Sequence, residues 1–268
     1  MNYAALWFKN SISRRNAKDQ FEKFGHLLKW TRSKENILDA GCGEGSVTRE
    51  ILYPLVKNHV HKIVAVDKCD GMISFAKEHN QVEEIDYQIM DLMDEAQVSK
   101  AANRFGHIFS IHLSHWIPDT RTLLNGFHKM LKPNGQIFVT GFLDLYMNHV
   151  FKKQFKEGKW TKYIPAEPIF ANYTENPLEY FENLLADLGY KLDGYDHEEK
   201  LFHIEHFTDF VSTVLSMYKY LERLPAVLQE EFYQEHLRIS KEISTYSGEP
   251  DKYLLYYKPF TLLATKIK

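Results

Sequence analysis

A chain of 268 residues, 44 % of them hydrophobic, can bury a substantial core. Its formal net charge of −3 gives no global basic footprint for nucleic acid or an anionic membrane surface. No run of about 18 apolar residues offers a membrane span, and "YAALWF" near the start is too short for a leader's apolar segment, with its positive charges following it.

The predicted elements begin with "NILDA" (36–40), a strand, and a helix from Val47 to Leu55. "KIVAVD" (62–67) is a second strand, followed by a helix from about Gly71 to His79. "IDYQIMD" (85–91) is a third strand and "HIFSIHL" (107–113) a fourth. Leu123, Leu124, Phe127 and Leu131 mark a helix face, which "LKPNG" ends before a fifth strand at 136–142. Continuous apolar strands alternating with helices imply a parallel sheet covered on both faces.

The second half differs. A helical stretch runs from about Leu145 to Phe155, then an irregular aromatic segment around Trp160, Tyr163 and Phe170. Asn176-Pro177 starts a helix that Gly189 stops. "LDGYDHEEKLFHI" (192–204) reads as one twisted strand, and two helices lie between Thr208 and Ile243 with Pro225 breaking or starting one. "YLLYYKPFTLLATKI" closes the chain as a strand. The expectation is α/β: a doubly wound, mostly parallel sheet of seven strands with a helical cap, in one domain over 1–268. Residues 36–142 form its core, and 1–30 and about 145–245 its substrate cap.

Open parallel sheets bind ligands at the carboxyl ends of their strands, where the strand order reverses. "DAGCGEGSVT" occupies such an end. A dinucleotide fingerprint is G-x-G-x-x-G, with a pyrophosphate against the helix. Here Gly41, Gly43 and Gly45 are spaced one residue shorter, and Asp39 and Glu44 would repel a pyrophosphate. They suit an ammonium or sulfonium group. No Gly-Lys-Ser/Thr follows, which excludes a P-loop. Asp67 ends the second strand, where a carboxylate accepts hydrogen bonds from ribose hydroxyls, and Asp91 ends the third, where an acceptor can meet an adenine amino group. Such a pocket fits S-adenosylmethionine better than NAD.

"LDAGCGEGSVT", "VAVDKCDGMISFA", "MDL" and "LKPNGQIFV", in this order and spacing, resemble the class I S-adenosylmethionine-dependent methyltransferases. The resemblance covers residues 36–142 and implies a Rossmann-like fold. It implies S-adenosylmethionine as cofactor, held by Asp39, Gly41 and Gly43, by Asp67 with Lys68 and Met72, and by Asp91 and Leu92. S-adenosylhomocysteine is then the product. "LWFKNSISRRNA", "SVTREIL" and "FGHIFSIHLSHWIPDTRTLL" are similar to the arthropod juvenile hormone acid methyltransferases, which esterify sesquiterpenoid acids such as farnesoic acid. In that family a Trp after the fourth strand and an N-terminal Gln are linked to substrate handling. Trp116 matches the first; Ser13, flanked by Arg14 and Arg15, stands at the position of the second.

The resemblance therefore implies an O-methyltransferase forming the methyl ester of a lipophilic acid in juvenile hormone biosynthesis. A carboxylic acid with a pKa of about 4–5 is already ionised at pH 7, so its methylation needs no general base. The rate then comes from proximity and desolvation. His115 and Trp116 are the catalytic candidates; Trp116 packs on the substrate chain or faces the sulfonium, and His115 binds the carboxylate. His112 is a cofactor contact, and Ser13, Arg14 and Tyr146 are substrate contacts. Two alternatives stay open. One is methylation of an amine, a phenol or a polar acid, for which His115 is the natural base; the other is a catalytically inactive cofactor-binding protein. The spacings His112/His115 and His203/His206 lack neighbouring Cys or carboxylate ligands, and no metal is expected. Two cysteines only, Cys42 and Cys69, suit a reducing, cytoplasmic setting. Asp19 and Glu22 interrupt the basic segment that a transit peptide needs. The partner is a small-molecule acid, with no nucleic acid and no membrane, and a homodimer is compatible with the sequence.

Overall fold

The structure is a computed structural model and describes residues 12–117, 119–156, 158–164, 175–216 and 221–267; Phe170 lies outside them. The chain divides into two compact units. One comprises residues 2–141, 171–197 and 260–268, and the other 142–170 and 198–259.

In the first unit, β1 (Glu35–Ala40) runs parallel to β2 (Val60–Asp67) on one side and to β4 (Phe105–Ser110) on the other, with Ile37 opposite both Ile63 and His107. Beyond β2 lies β3 (Ile85–Ile89), also parallel. Beyond β4 lies β5 (Leu131–Leu145), parallel to it. The sheet order is β3-β2-β1-β4-β5-β9-β6, where β6 (Tyr190–His197) is antiparallel to β9 (Tyr253–Lys266). The α/β architecture is as expected and β3 through β5 are parallel, but the sheet has nine strands among the described residues rather than seven, because two further strands pair with β9 off this path. The chain builds outward from β1 through β2 and β3, then returns to begin β4 on its other side. The reversal sets the carboxyl ends of β1 and β4 side by side as a ligand crevice.

The apolar runs explain the strands. Ile37, Leu38, Ala40, Ile63, Ala65, Val66, Ile108, Phe109, Ile137 and Val139 are buried, as strands covered on both faces require. The helix α1 (Ile12–Phe24) contributes Phe21, stacked on Phe138 at 4.6 Å and 5.8 Å from Phe109. Burying one such ring contributes about 2–3 kcal/mol.

Several boundaries differ from expectation for identifiable reasons. The helix expected from Val47 to Leu55 is a wide π turn at Thr48–Leu52 followed by α2 (Tyr53–Val56). Pro54 has no N–H to offer the carbonyl four residues back, so the ladder widens there. The next helix, α3 (Asp70–His79), agrees to within a residue. The short α4 (Glu95–Lys100), unforeseen, starts at an Asp94 cap that accepts from the backbone of Ala96 and Gln97. Asp119 likewise caps α5 (Thr120–Met130) through Thr122. Leu131 leaves that helix and opens β5; residues 132–135 bulge out, so that Phe105 pairs with Leu131 and His107 with Gln136. As expected, Asn176 caps α7 (Pro177–Asp187) and Gly189, at φ 81°, follows it.

In the second unit, α6 (Tyr146–Phe155) packs on α9 (Ala226–Ile243), which starts at Pro225, and α8 (Phe207–Ser216) completes the helices. The strands β7 (Lys200–Ile204) and β8 (Thr245–Tyr246) are antiparallel to residues 253–257 of β9. The single strand expected over 192–204 is therefore two, parted at Glu198-Glu199. The unit's aromatic residues largely fill its own core. Trp160 is buried edge-on to Phe232 at 5.1 Å, and its Nε1 donates to Glu235 at 3.1 Å. Phe151 lies 4.7 Å from the ring of His236.

Candidate active site

The glycine loop leaves β1 with Gly41, Gly43 and Gly45 all at positive φ (78°, 55° and 84°), a backbone path that only glycine follows without strain. The three do different work. A Cβ at Gly41 would overlap the Leu113 side chain at 2.8 Å, so this glycine lets the loop pack against the segment after β4. A Cβ at Gly45 would meet the Tyr87 hydroxyl at 2.7 Å. At Gly43 a Cβ would meet nothing within 4 Å, so this is the face where a ligand can approach the backbone.

Three carboxylates converge on that loop. Asp39, at the end of β1, is buried and accepts a 2.6 Å hydrogen bond from Thr48. Glu44 is buried against the hydroxyl of Ser46. Asp67, at the end of β2, accepts from the backbone N–H of Gly43 at 3.1 Å and of Cys69 at 2.9 Å, which ties the first two motifs together. Burial, reinforced by the charges of Asp67 and Glu44 against a lowering bond from Thr48, pushes Asp39 from its ordinary 3.8 up to about 7. Burial raises Glu44 and Asp67 as well. Desolvated carboxylates that oppose one another's ionisation form a site for a cation. Asp91 follows β3, half-buried, its side chain accepting from Met93 N at 2.9 Å, with Leu92 buried beside it. Lys68 is exposed, and Met72 sits half-buried in the first turn of α3.

The strand β4 stops earlier than expected, at Ser110, because His112 takes the left-handed region (φ 58°). A non-glycine residue there carries strain of about 1 kcal/mol or more, of the kind that collects at functional sites. Its N–H is held by both the carbonyl and the hydroxyl of Thr140, at 3.2 and 3.0 Å. A 3-10 turn, Ser114–Trp116, follows. His115 is buried, with its ring 5.4 Å from that of the half-buried Trp116. Burial lowers His112 to about 3, and burial together with His112 lowers His115 well below its ordinary 6.5. Both rings are neutral at pH 7.

Of the N-terminal candidates, Ser13 falls on α1, and the Arg14 guanidinium pairs with Glu50 at 3.1 Å in the turn after the glycine loop. Arg14 also helps hold Glu44 ionised. Tyr146 opens α6 in the second unit, buried, its ring 6.0 Å from Phe210. The structure thus gathers the Asp39, glycine-loop and Asp67 residues, with Leu113 beside Gly41, and assigns Tyr146 to the other unit. Among the described residues no group of three or more His, Cys, Asp or Glu side chains is placed to hold a metal ion, and no helix is long and apolar enough to cross a membrane.

Residues 12–197, well over half of the chain, match the family described as methyltransferase domain. The chain belongs to that methyltransferase family. It is 27 % identical to the juvenile hormone acid O-methyltransferase of Drosophila melanogaster, over 98 % of this chain and 91 % of that one. It is 20 % identical to the protein of the same name from Bombyx mori, over 100 % and 98 %. Among solved structures, the YcgJ protein of Bacillus subtilis superposes with a TM-score of 0.59 at 16 % identity, covering 93 % of this chain and 99 % of that one. A phosphoethanolamine N-methyltransferase of Haemonchus contortus, in complex with phosphomonomethylethanolamine and S-adenosylhomocysteine, superposes with a TM-score of 0.55 at 17 % identity, over 100 % and 57 %. The fold is that of class I S-adenosylmethionine-dependent methyltransferases.

In this methyltransferase the features that fit a sulfonium nucleoside belong to the chain itself. Gly43 opens a cradle with no side chain in it, and burial raises the carboxyl groups around the loop, Asp39 to about 7. Sequence reasoning overlooked Thr48, which donates to Asp39, and Asn80 and Tyr87, which hold the loop from behind. Thr48 had a signal: it is the first residue of the turn opening the helical segment behind the loop, where a hydroxyl can reach back to the strand end.

Proposed function

We propose that the chain transfers a methyl group from S-adenosylmethionine to the carboxylate of a lipophilic acid, such as juvenile hormone acid or farnesoic acid. Gly41 and Gly43 then accommodate the cofactor's methionine part, Asp39 and Glu44 favour its cationic groups, Asp67 accepts from the ribose hydroxyls, and Asp91 and Leu92 meet the adenine. Lys68, Met72 and His112 complete the contacts. When bound, the cofactor supplies a methyl group activated by sulfonium, and S-adenosylhomocysteine is the product.

One observation carries the choice of acceptor: the imidazoles at the end of β4 are buried, and burial lowers both so that they take up a second ring proton only well below pH 7. A base that weak does little for a phenol or an alcohol at neutral pH. A carboxylate arrives already ionised and asks only for alignment and exclusion of water. His115, neutral, offers one N–H to the carboxylate oxygen that does not react; a neutral donor orients that group without neutralising the attacking oxygen. Trp116 covers the acceptor chain. Arg14, already paired with Glu50, acts on the cofactor loop through Glu44 more than on the acceptor. The names of the two insect relatives support the same substrate class. A cytoplasmic location is part of the proposal, supported by two unpaired thiols, one buried (Cys42) and one exposed (Cys69).

The test is a screen of purified protein and methyl-labelled cofactor against farnesoic acid, juvenile hormone acid, long-chain fatty acids, small polyacids, phenols and amines. Label released as volatile methanol by mild alkali, from lipophilic acids only, is the expected result. Label retained in an alkali-stable product overturns the choice of a carboxylate.

A further inference from the structure

We propose that Asn80 and Tyr87 are positioning residues that hold the glycine loop open for the cofactor from its rear side. The proposal rests on the cofactor-binding reading above and concerns residues that touch no ligand. A loop with three glycines at positive φ has little stiffness of its own. Its front is tied down by the backbone of Gly41 and Cys42, both donating to Val66 O (2.8 and 2.9 Å), and by Gly43 N donating to Asp67. Behind it the Asn80 side chain donates to Glu44 O at 2.8 Å. The Tyr87 hydroxyl lies 3.1 Å from Asn80 O and 3.3 Å from Gly45 O, its one proton shared between two carbonyls. Both side chains are buried, Asn80 to 1 % exposure. Burial raises the Tyr87 phenol far above its ordinary 10, so it stays a donor at every working pH.

This geometry assigns a purpose to the third glycine. Any Cβ at Gly45 would meet the Tyr87 hydroxyl at 2.7 Å and the Ala76 Cβ at 2.9 Å, so Gly45 exists to let the brace close, whereas Gly43 faces open space. The brace also joins two motifs. Asn80 is the C-cap of α3, whose N-cap Cys69 directly follows the Asp67–Lys68 pair. One helix therefore sets the loop with its last residue and the ribose-side segment with its first. The Glu44 carboxylate is buried against the Ser46 hydroxyl, which donates to it. Loss of the pin leaves the Glu44 carbonyl without its Asn80 donor and frees the loop to relax.

The experiment is a calorimetric titration of S-adenosylmethionine into the wild-type protein and into Tyr87→Phe, Asn80→Asp and Asn80→Ala. Steady-state rates at saturating cofactor and a thermal melt accompany each. Tyr87→Phe keeps the ring behind Gly45 and removes only the hydroxyl; Asn80→Asp keeps the shape and removes the donor. A cofactor Kd about tenfold higher is expected for each variant, the order expected when one buried carbonyl loses its donor. The rate at saturating cofactor should stay within about twofold of wild type, because a loop that is reset by bound cofactor no longer depends on its brace. Wild-type affinity in the variants overturns the brace while leaving the cofactor reading intact. A fall in the saturated rate parallel to the fall in melting temperature makes these residues ordinary core and also overturns it. Absence of binding by the wild-type protein refutes the cofactor reading itself.

Discussion

Cofactor affinity should depend on pH through Asp39. In the free protein this carboxyl is displaced from 3.8 to about 7, which disfavours the ionised form by about 4 kcal/mol. A folded-state pKa above the unfolded one means that folding favours the proton. Asp39's contribution to stability is therefore present below about pH 4 and is lost as pH rises through 7. A bound cation reverses the preference, since it favours the carboxylate. With a midpoint near 7, about a tenth of the free protein has Asp39 ionised at pH 6 and about nine tenths at pH 8, so Kd should fall about tenfold from pH 6 to pH 8. Near pH 7, binding should release about half a proton. Calorimetry in two buffers of different ionisation enthalpy measures both quantities, and Asp39→Asn should flatten the profile. A Kd that is constant across this range, with no proton released, would refute the idea that the buried carboxylate is part of the cation site.

Three further outcomes follow from the same geometry. Asp67→Ala removes an acceptor that also holds Gly43 N and Cys69 N; it should weaken cofactor binding by about 1–3 kcal/mol, measured by calorimetry, and unchanged affinity would contradict its place in the site. Trp116→Ala should lower turnover or raise the KM for the acid while leaving cofactor affinity within about twofold, read from steady-state kinetics beside a cofactor titration; equal losses in both would put Trp116 on the cofactor. Phe21→Ala empties the stack on Phe138 and should destabilise the protein by about 3–5 kcal/mol in urea unfolding, whereas a cost under about 1 kcal/mol would mean that α1 is not anchored there.

Much of the candidate site's backbone geometry was legible because its logic is local. The spacing of Gly41, Gly43 and Gly45 announces a backbone path that other residues cannot follow, and Asp39, Asp67 and Asp91 announce themselves by ending or following apolar strands. Other parts depend on distance in sequence. Asn80 and Tyr87 reach carbonyls 36 and 42 residues away, and nothing in their neighbourhoods marks them as donors to a loop. The left-handed turn at His112 is imposed by Thr140 on the adjacent strand, so "HIFSIHL" reads as one longer strand although it ends at Ser110. The π turn at Thr48–Leu52 was foreseeable from Pro54, a missing donor inside an otherwise regular helical pattern. The aromatic residues after 140 show the opposite difficulty: ring content alone cannot distinguish a lipid-binding wall from a core, and Trp160 packs on Phe232 while Phe151 packs on Phe155 and His236.

The account turns on an acceptor that arrives ionised and needs no base. The most direct measurement is the rate of methyl transfer to farnesoic acid, with both substrates saturating, from pH 6.5 to 9. A rate that is level across this range is predicted, since the acid titrates below it and the His112 and His115 rings are neutral throughout. A rate climbing about tenfold per pH unit to a plateau would show that a protein base removes a proton in the transition state, and would contradict it.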